Sequence, residues 1–171
     1  AGDVFVFQQK HWKNLSQRTI ATSSLRRQAQ WLFAYRNDHV VPLRGNIQTR
    51  IDKIKACNWD GAIFAQAGLD RLSTDPTIYT PIDWMIPAPA QGAILVTTRA
   101  EETKLLENIK PLSHRPTQDC VKAERDFLRA LQGGCSAPIG AYASIHNNRI
   151  SFVGSVTATD GSRHIEVRES Y

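Results

Sequence analysis

Short apolar segments alternate with amphipathic helical segments through the first half of the chain. Five segments, in the order strand, helix, strand, helix, strand, span residues 18–21, 25–35, 39–43, 47–57 and 60–65. The last of them is nearly all apolar, which is typical of a strand covered on both faces. This alternation predicts a parallel sheet with right-handed crossovers, preceded by a strand at Asp3–Phe7 and followed by a helical turn at 68–72.

The last third of the chain has a different pattern. We interpret Thr117 as the N-cap of a helix with an apolar stripe, and we expect that helix to end at a left-handed cap at Gly133 and Gly134. Three strands are then predicted, at 139–145, 149–157 and 164–168, with turns at 147–148 and 160–161. A helix with an antiparallel sheet is a separate fold class from the first half.

The middle of the chain connects these two patterns. We expect a loop at 73–83, an irregular segment at 86–93, a strand at 94–97 and an amphipathic helix at 101–109. Pro111 and Pro116 bracket a linker, so the domain boundary is placed between them.

Composition excludes several classes of protein. The 171 residues are 42% hydrophobic and 22% charged with a net charge of +5, which describes a folded globular chain. No apolar run approaches the roughly 20 residues of a membrane helix. The basic residues are scattered and match no nucleic-acid motif. The three cysteines form no CxxC pair and the five histidines show no metal spacing, which indicates a reducing compartment and no metal site.

Three basic clusters follow the predicted strands of the first half. They comprise Thr22, Ser23 and Ser24 with Arg26 and Arg27, then Arg44 with Arg50, and finally Arg71. Hydroxyls and amide N–H groups at a helix start bind anions, and ligands of α/β sheets bind at the carboxyl ends of strands. Each cluster taken alone is also compatible with a helix cap or a solvated surface, but together they favour an anion-binding cleft.

Cys135 stands apart from the other two cysteines. It follows two glycines, just beyond the predicted helix, and precedes Pro138. Such a loop thiol is accessible and suits a nucleophile or an attachment point, although a chance loop cysteine has the same pattern. Cys120 lies on the apolar face of its helix and is expected in the core, and Cys57 is interpreted as structural.

Six stretches of the chain resemble the porphobilinogen deaminase (hydroxymethylbilane synthase) family. They are residues 21–28, 43–50, 65–72, 87–93, 123–125 and 133–142, and they occur in the order and spacing of that family. The resemblance implies two α/β domains like type II periplasmic binding proteins and a small α+β domain. Residues 1–85 correspond to domain two, 86–110 to the hinge and the return segment of domain one with Gln91 in the hinge, and 111–171 to domain three.

The resemblance also implies an activity, a transferase of tetrapyrrole (porphyrin and heme) biosynthesis. Such an enzyme joins four porphobilinogen molecules head to tail into hydroxymethylbilane, releasing ammonia, on a dipyrromethane cofactor held here by a thioether to Cys135. The site residues carried over by motif to bind cofactor and substrate carboxylates are Thr22, Ser24, Arg26, Arg27, Arg44, Arg50 and Arg71. The implied protein is a cytoplasmic monomer that binds no nucleic acid or membrane, with plastid stroma as the other compatible location.

The chain departs from the family pattern in three respects. Ala21 and Ala90 stand where the family has glycine, and we expect a modest local adjustment at each. No aspartate here matches the family's general acid/base, so this chain alone is expected to be inactive. Two alternatives remain, a non-catalytic anion-binding module with an unmodified Cys135 and a nucleic-acid-binding protein.

Overall fold

The computed structural model describes residues 1–8, 11–134 and 137–171, which form two sheets and five α-helices. The strands of the first sheet are β1 (Asp3–Phe7), β2 (Thr19–Ala21), β3 (His39–Val41), β4 (Gly61–Ala65) and β5 (Tyr79–Pro81). The helices are α1 (Leu25–Ala34), α2 (Ile47–Ala56), α3 (Gln66–Arg71), α4 (Thr103–Ile109) and α5 (Arg115–Ala130). The second sheet contains β6 (Ile139–His146), β7 (Arg149–Thr157) and β8 (His164–Ser170).

The first sheet has the strand order β3-β2-β4-β1-β5. β2 pairs in parallel with both β3 and β4, as the alternation of strands and helices predicts, and β1 and β5 add antiparallel strands at one side. β5 and a 3-10 turn at Pro76–Ile78 lie where a loop was expected. β5 has only three residues and pairs with one strand, so it carries no periodic signal in the sequence.

The first sheet is buried on both faces. Alternate side chains of β1 enter opposite cores, with Val4 and Val6 packed in the same cluster as α2, and Phe5 packed with Trp31 of α1. The α/β unit predicted for the first half of the chain is confirmed.

The spacing of Leu25, Ala29, Leu32 and Phe33 predicts one apolar buried face for α1, but the helix buries a different face. Leu25 and Phe33 are exposed, whereas Arg26, Ala29, Gln30 and Trp31 are buried. The predicted apolar face is therefore not the buried one. Arg26 and Gln30 are buried instead because they hydrogen-bond to Ile86, which lies far away in the sequence.

Residues 94–97 do not form the predicted strand. Ile94 and Leu95 are 79% and 75% exposed, and no strand lies beside them among the described residues. A β-strand needs a neighbour to satisfy its backbone N–H and C=O groups, so an apolar segment without that neighbour stays irregular.

The second unit has the predicted helix and antiparallel sheet, in the order β6-β7-β8. Asn147 and Asn148 have φ of 51° and 58°, the values of the tight hairpin turn expected there. The helix begins earlier than predicted: His114 is its N-cap and Pro116 lies in its first turn, so the assignment of Thr117 as N-cap was wrong. After α5 the left-handed residue is Gln132, with φ of 52°, in place of the expected glycines.

Candidate functional site

A cavity of about 220 Å³ lies at the carboxyl ends of the parallel strands β2 and β3. Its lining residues are Thr22, Ser23, Ser24, Arg27, Leu43, Arg50 and Ile63. We call it the arginine cavity. It lies at the edge of the sheet at which α/β proteins bind ligands. Residues of the first two predicted basic clusters therefore lie together at the edge that the alternation of strands and helices predicts.

The start of α1 supplies the hydroxyl groups of the arginine cavity. Ser24 caps the helix by accepting from the N–H of Arg27 at 3.4 Å, and Thr22 accepts from the N–H of Ser24 at 3.2 Å. Ser23 accepts from the N–H of Leu43, at 2.9 Å, which ties the end of β3 to the helix start. In these three bonds each hydroxyl acts as an acceptor, so its proton is available to an anion at the helix N-terminus.

Arg27 and Arg50 bring positive charge to the arginine cavity. Arg27 is half-buried, and its guanidinium donates to Asp3 at 3.0 and 2.7 Å and to the carbonyl of Ile63 at 3.2 Å. Arg50 donates through Nε to the carbonyl of Gly45 at 2.7 Å, a contact that leaves its two terminal NH2 groups uninvolved. A guanidinium anchored in this way presents a planar fork that suits a carboxylate.

Arg44 and Arg71 are exposed and do not line the arginine cavity. Arg44 follows β3, and its carbonyl accepts from Nζ of Lys53 at 2.9 Å. Arg71 ends α3. The structure therefore brings two of the predicted arginines into one cavity and leaves these two on the surface.

Arg26 turns into the interior. Its side chain is 4% exposed, pairs with Asp3 at 2.7 Å, and donates to the carbonyl of Ile86 at 2.7 Å and to Oε1 of Gln91 at 3.2 Å. Burial lowers the pKa of Arg26, and the neighbouring Asp3 carboxylate opposes that effect. Successive helix residues point about 100° apart, so adjacent arginines reach different surroundings. The expected contact of Arg26 with ligand carboxylates has no support in this position.

Asp3 joins the two arginines to residues 86–93, which we call the hinge segment after the role that the family resemblance implies. One oxygen of the fully buried Asp3 carboxylate accepts from Arg27 and, at 3.0 Å, from Nε2 of Gln91. We call Asp3, Arg26, Arg27 and Gln91 the Asp3 cluster. Gln30 adds a reciprocal pair, donating to the carbonyl of Ile86 at 2.9 Å and accepting from its N–H at 2.8 Å. The sequence pattern marks Asp3 only as the start of a strand and does not single out Gln30.

Glu124 of α5 holds the hinge segment from the other side. Its carboxylate accepts from the N–H of Ala90 at 2.6 Å and from the N–H of Ala143 in β6 at 2.8 Å. The side chain is nearly fully buried, and burial raises the pKa of Glu124. A single carboxylate therefore links the hinge, α5 and the second sheet.

Ala90 and Ala21, the two departures from the family's glycines, differ in their backbone. Ala90 has a φ of 63°, the left-handed region that favours glycine, whereas Ala21 lies in β2 and needs no such freedom. The expected adjustment is therefore a strained residue in the hinge at position 90.

Cys135 lies outside the described residues, next to Gly134 and close to Pro138. The carbonyl of Pro138, three residues after Cys135 in the sequence, accepts from the N–H of Thr157 at 3.1 Å. Cys57 and Cys120 are free thiols, and Cys120 is half-buried rather than in the core. Burial raises the pKa of Cys120, so its thiol is less reactive than an ordinary one.

Neither a membrane-spanning helix nor a cluster of metal-ligating side chains occurs in the described part of the chain. No helix there is long and apolar enough to cross a membrane. Within the same residues, no group of three or more His, Cys, Asp or Glu side chains is arranged to hold a metal ion.

The fold and the site define a class of proteins in which an α/β unit with an arginine-lined cavity is followed by an α+β unit. Residues 1–107 match the family model described as porphobilinogen deaminase, dipyromethane cofactor binding domain, and residues 118–170 match the model of the porphobilinogen deaminase C-terminal domain. The chain belongs to the porphobilinogen deaminase family.

Curated relatives agree with this assignment. The chain is 43% identical over 148 residues to a porphobilinogen deaminase of Brevibacillus brevis, covering 84% of the chain and 48% of the relative. It is 42% identical over 165 residues to that of Carboxydothermus hydrogenoformans, covering 94% and 53%, and 44% identical over 153 residues to that of Lawsonia intracellularis, covering 87% and 49%. The chain spans about half the length of the relatives it matches.

Proposed function

We propose that the protein to which this chain belongs joins four porphobilinogen molecules into hydroxymethylbilane with release of ammonia. The observation that carries the proposal is the arginine cavity, which lies in the part of the chain matched by the cofactor-binding family model. Cys135 is proposed as the attachment point of the dipyrromethane cofactor, through a thioether. The protein is proposed to be a cytoplasmic monomer that binds no nucleic acid.

The arginine cavity fits the chemistry of the cofactor. A dipyrromethane carries acetate and propionate groups, and the cavity offers two guanidinium groups, three hydroxyls and a helix N-terminus. Once bound, the cofactor supplies a pyrrole carbon to which the next pyrrole is joined.

The residues of this chain bind and orient in the proposed reaction. Arg27 and Arg50 hold carboxylates in the cavity, with hydrogen bonds from Thr22 and Ser24. The exposed Arg44 and Arg71 are proposed to receive carboxylates of later pyrroles as the chain of rings grows, because each added ring brings two more negative charges.

Arg26 is assigned an indirect part in the same site. Its ion pair fixes Asp3, and Asp3 in turn holds the guanidinium of Arg27 beside the cavity. Gln91 connects this arrangement to the hinge.

Mass spectrometry of the full-length protein, produced in cells that make porphobilinogen, tests the proposal. We expect a covalent addition of two pyrrole units that maps to Cys135 and is missing in Cys135→Ser. Cys120→Ser is the matched control and is expected to keep the addition.

Turnover of porphobilinogen is measured on the same preparations. An unmodified Cys135 in a protein that still binds pyrrole carboxylates would overturn the proposal and favour a non-catalytic anion-binding module. Steep salt-dependent binding of nucleic acid without turnover would favour the other alternative.

A further inference from the structure

The turn between β7 and β8 makes a second contact between the two units, away from the hinge. Gly161, in that turn, is buried and has a φ of 72°. A Cβ added there would lie 2.5 Å from the backbone of Leu32 and Phe33, near the end of α1. Only glycine lets the turn approach the helix this closely, so the contact is built into the local backbone.

Side chains reinforce this second contact. The ring of Phe33 stacks on the imidazole of His164, with centroids 4.8 Å apart and an interplanar angle of 24°. Arg36 donates to the carbonyl of Ser162 at 3.4 Å. Phe33 is an exposed aromatic residue of α1, and this stack with a residue of the other unit gives it a function.

The contact continues to Pro138, which follows Cys135 by three residues in the sequence. Nδ1 of His164 lies 2.8 Å from the hydroxyl of Thr157, whose side chain is 1% exposed. The N–H of the same Thr157 donates to the carbonyl of Pro138 at 3.1 Å. Two hydrogen bonds therefore connect His164 to a residue three positions after Cys135.

Helix α1 also carries the arginine cavity. Its first turn contains Ser24 as cap and Arg27, and Phe33 lies near its other end. Ten helical residues span about 15 Å and behave as one rigid rod. The same rod thus holds the anion-binding groups at one end and the stacked imidazole at the other.

We propose that Phe33, Thr157, Gly161 and His164 are positioning residues that hold Pro138, three residues after Cys135 in the sequence, relative to the arginine cavity. The inference rests on the proposed function, because it concerns the placement of the cofactor-bearing thiol. A displacement of about 1 Å can reduce the rate of a reaction by up to 100-fold when it misaligns the reacting groups. Substitution of a positioning residue of this kind lowers kcat and leaves the contacts between the arginine cavity and the ligand carboxylates in place.

Phe33→Leu and Thr157→Val in the full-length protein test the inference, with Phe33→Tyr as the matched control that keeps a stacking ring. In Phe33→Leu we expect cofactor attached to Cys135 by mass, a KM for porphobilinogen within about twofold of the parent, and a kcat reduced about tenfold. Thr157→Val keeps the N–H to Pro138 and is expected to lower kcat about threefold. Phe33→Tyr is expected to retain the parent kcat.

Gly161→Ala adds a direct test of the turn and is expected to match or exceed the loss in Phe33→Leu. An unchanged kcat in cofactor-loaded Phe33→Leu and Thr157→Val overturns the inference, as does an equal loss in Phe33→Tyr. Absence of the Cys135 adduct and of turnover in the unsubstituted protein overturns the proposed function and this inference with it. If the unsubstituted protein turns over porphobilinogen and the variants have the same kcat, the positioning role alone is overturned and the proposed function stands.

Discussion

Arg26 and Arg27 are neighbours in the sequence and both belong to the Asp3 cluster, yet only Arg27 extends into the arginine cavity, a region of opposite character. Arg26 lies in the interior of the Asp3 cluster, where every contact is with the protein itself. Arg27 shares Asp3 but also lines the arginine cavity with Arg50. A buried guanidinium loses several kcal/mol of hydration, so it needs a carboxylate and carbonyls in place around it.

Two adjacent arginines of one motif therefore have different roles: Arg26 supports the fold, and Arg27 also faces the site of a ligand. The Asp3 cluster takes its ion-pair partners from the protein itself and stabilises the fold, with Oδ2 of Asp3 and Nε of Arg26 left without a hydrogen bond among the described residues. The arginine cavity retains hydrogen-bond donors for a ligand. Substitutions in the first region are therefore expected to change the free energy of unfolding, and those in the second to change binding.

Removal of the buried guanidinium is expected to have the largest effect. Arg26→Ala leaves the fully buried Asp3 carboxylate without one of its two cations and should lower the free energy of unfolding by about 3–5 kcal/mol. Urea unfolding of the full-length protein measures it. Arg71→Ala, at an exposed arginine, is the control and should change stability by less than about 0.5 kcal/mol. Equal effects of the two substitutions would contradict the stabilising role of the Asp3 cluster.

Arg50→Ala tests the arginine cavity, the second region of the comparison. The loss of a charged hydrogen-bonding group should weaken binding of pyrrole carboxylates by about 1.5–3 kcal/mol, with stability changed by less than about 0.5 kcal/mol. KM or a direct binding titration measures the first and urea unfolding the second. Lys55→Ala removes the same charge from an exposed site on α2 and should leave binding unchanged. A large loss of stability in Arg50→Ala would contradict the assignment.

Glu124 extends the comparison to the pH dependence of stability. Its folded-state pKa is raised above the ordinary value of about 4.5, so the folded protein holds this proton more tightly than the unfolded chain. The free energy of unfolding should therefore fall as the pH rises from about 4.5 through the raised pKa, and recover as the pH falls. Glu124→Gln should flatten this dependence.

The same substitution has a second expected effect, at neutral pH. Glu124→Gln replaces one accepting carboxylate oxygen by an NH2 group, which would face a backbone N–H donor and should destabilise the protein by about 1–2 kcal/mol. Unfolding measured across the pH range tests both effects. Glu107→Gln, at an exposed carboxylate, should keep the pH profile of the parent.

The smallest expected effect is a gain of stability in the hinge. Ala90→Gly removes the strain of a left-handed alanine, offset in part by the greater freedom of glycine in the unfolded chain, for a net gain of about 0.5 kcal/mol. Ala88→Gly is the control, since Ala88 has no positive φ, and it should destabilise. Thermal unfolding compares the two, and a loss in both would mean that the strain at Ala90 is negligible.

The sequence predicts the regular parts of this fold well because their signals are local. Apolar periodicity located β1, β2, β4 and α2 to within a few residues, and Asn147–Asn148 located a hairpin. The strand at 94–97 was wrong because a strand depends on a neighbour that local periodicity does not report.

The site was harder to predict than the fold. Motifs identified the residues of the arginine cavity, but they treated Arg26 and Arg27 alike. Asp3, Gln30 and Glu124 were missed as site residues because their partners lie 19 to 88 positions away. Long-range partners of buried polar residues leave no mark in a local pattern.

The exposed segment at 94–97 has a practical consequence for producing these 171 residues by themselves. Ile94, Leu95 and Val96 are consecutive, apolar and unpaired, with no charge or proline among them. Segments of this kind can pair with copies of themselves in concentrated solution and seed β-rich aggregates. A charged residue in place of Leu95 would act as a gatekeeper and extend the working concentration of the preparation.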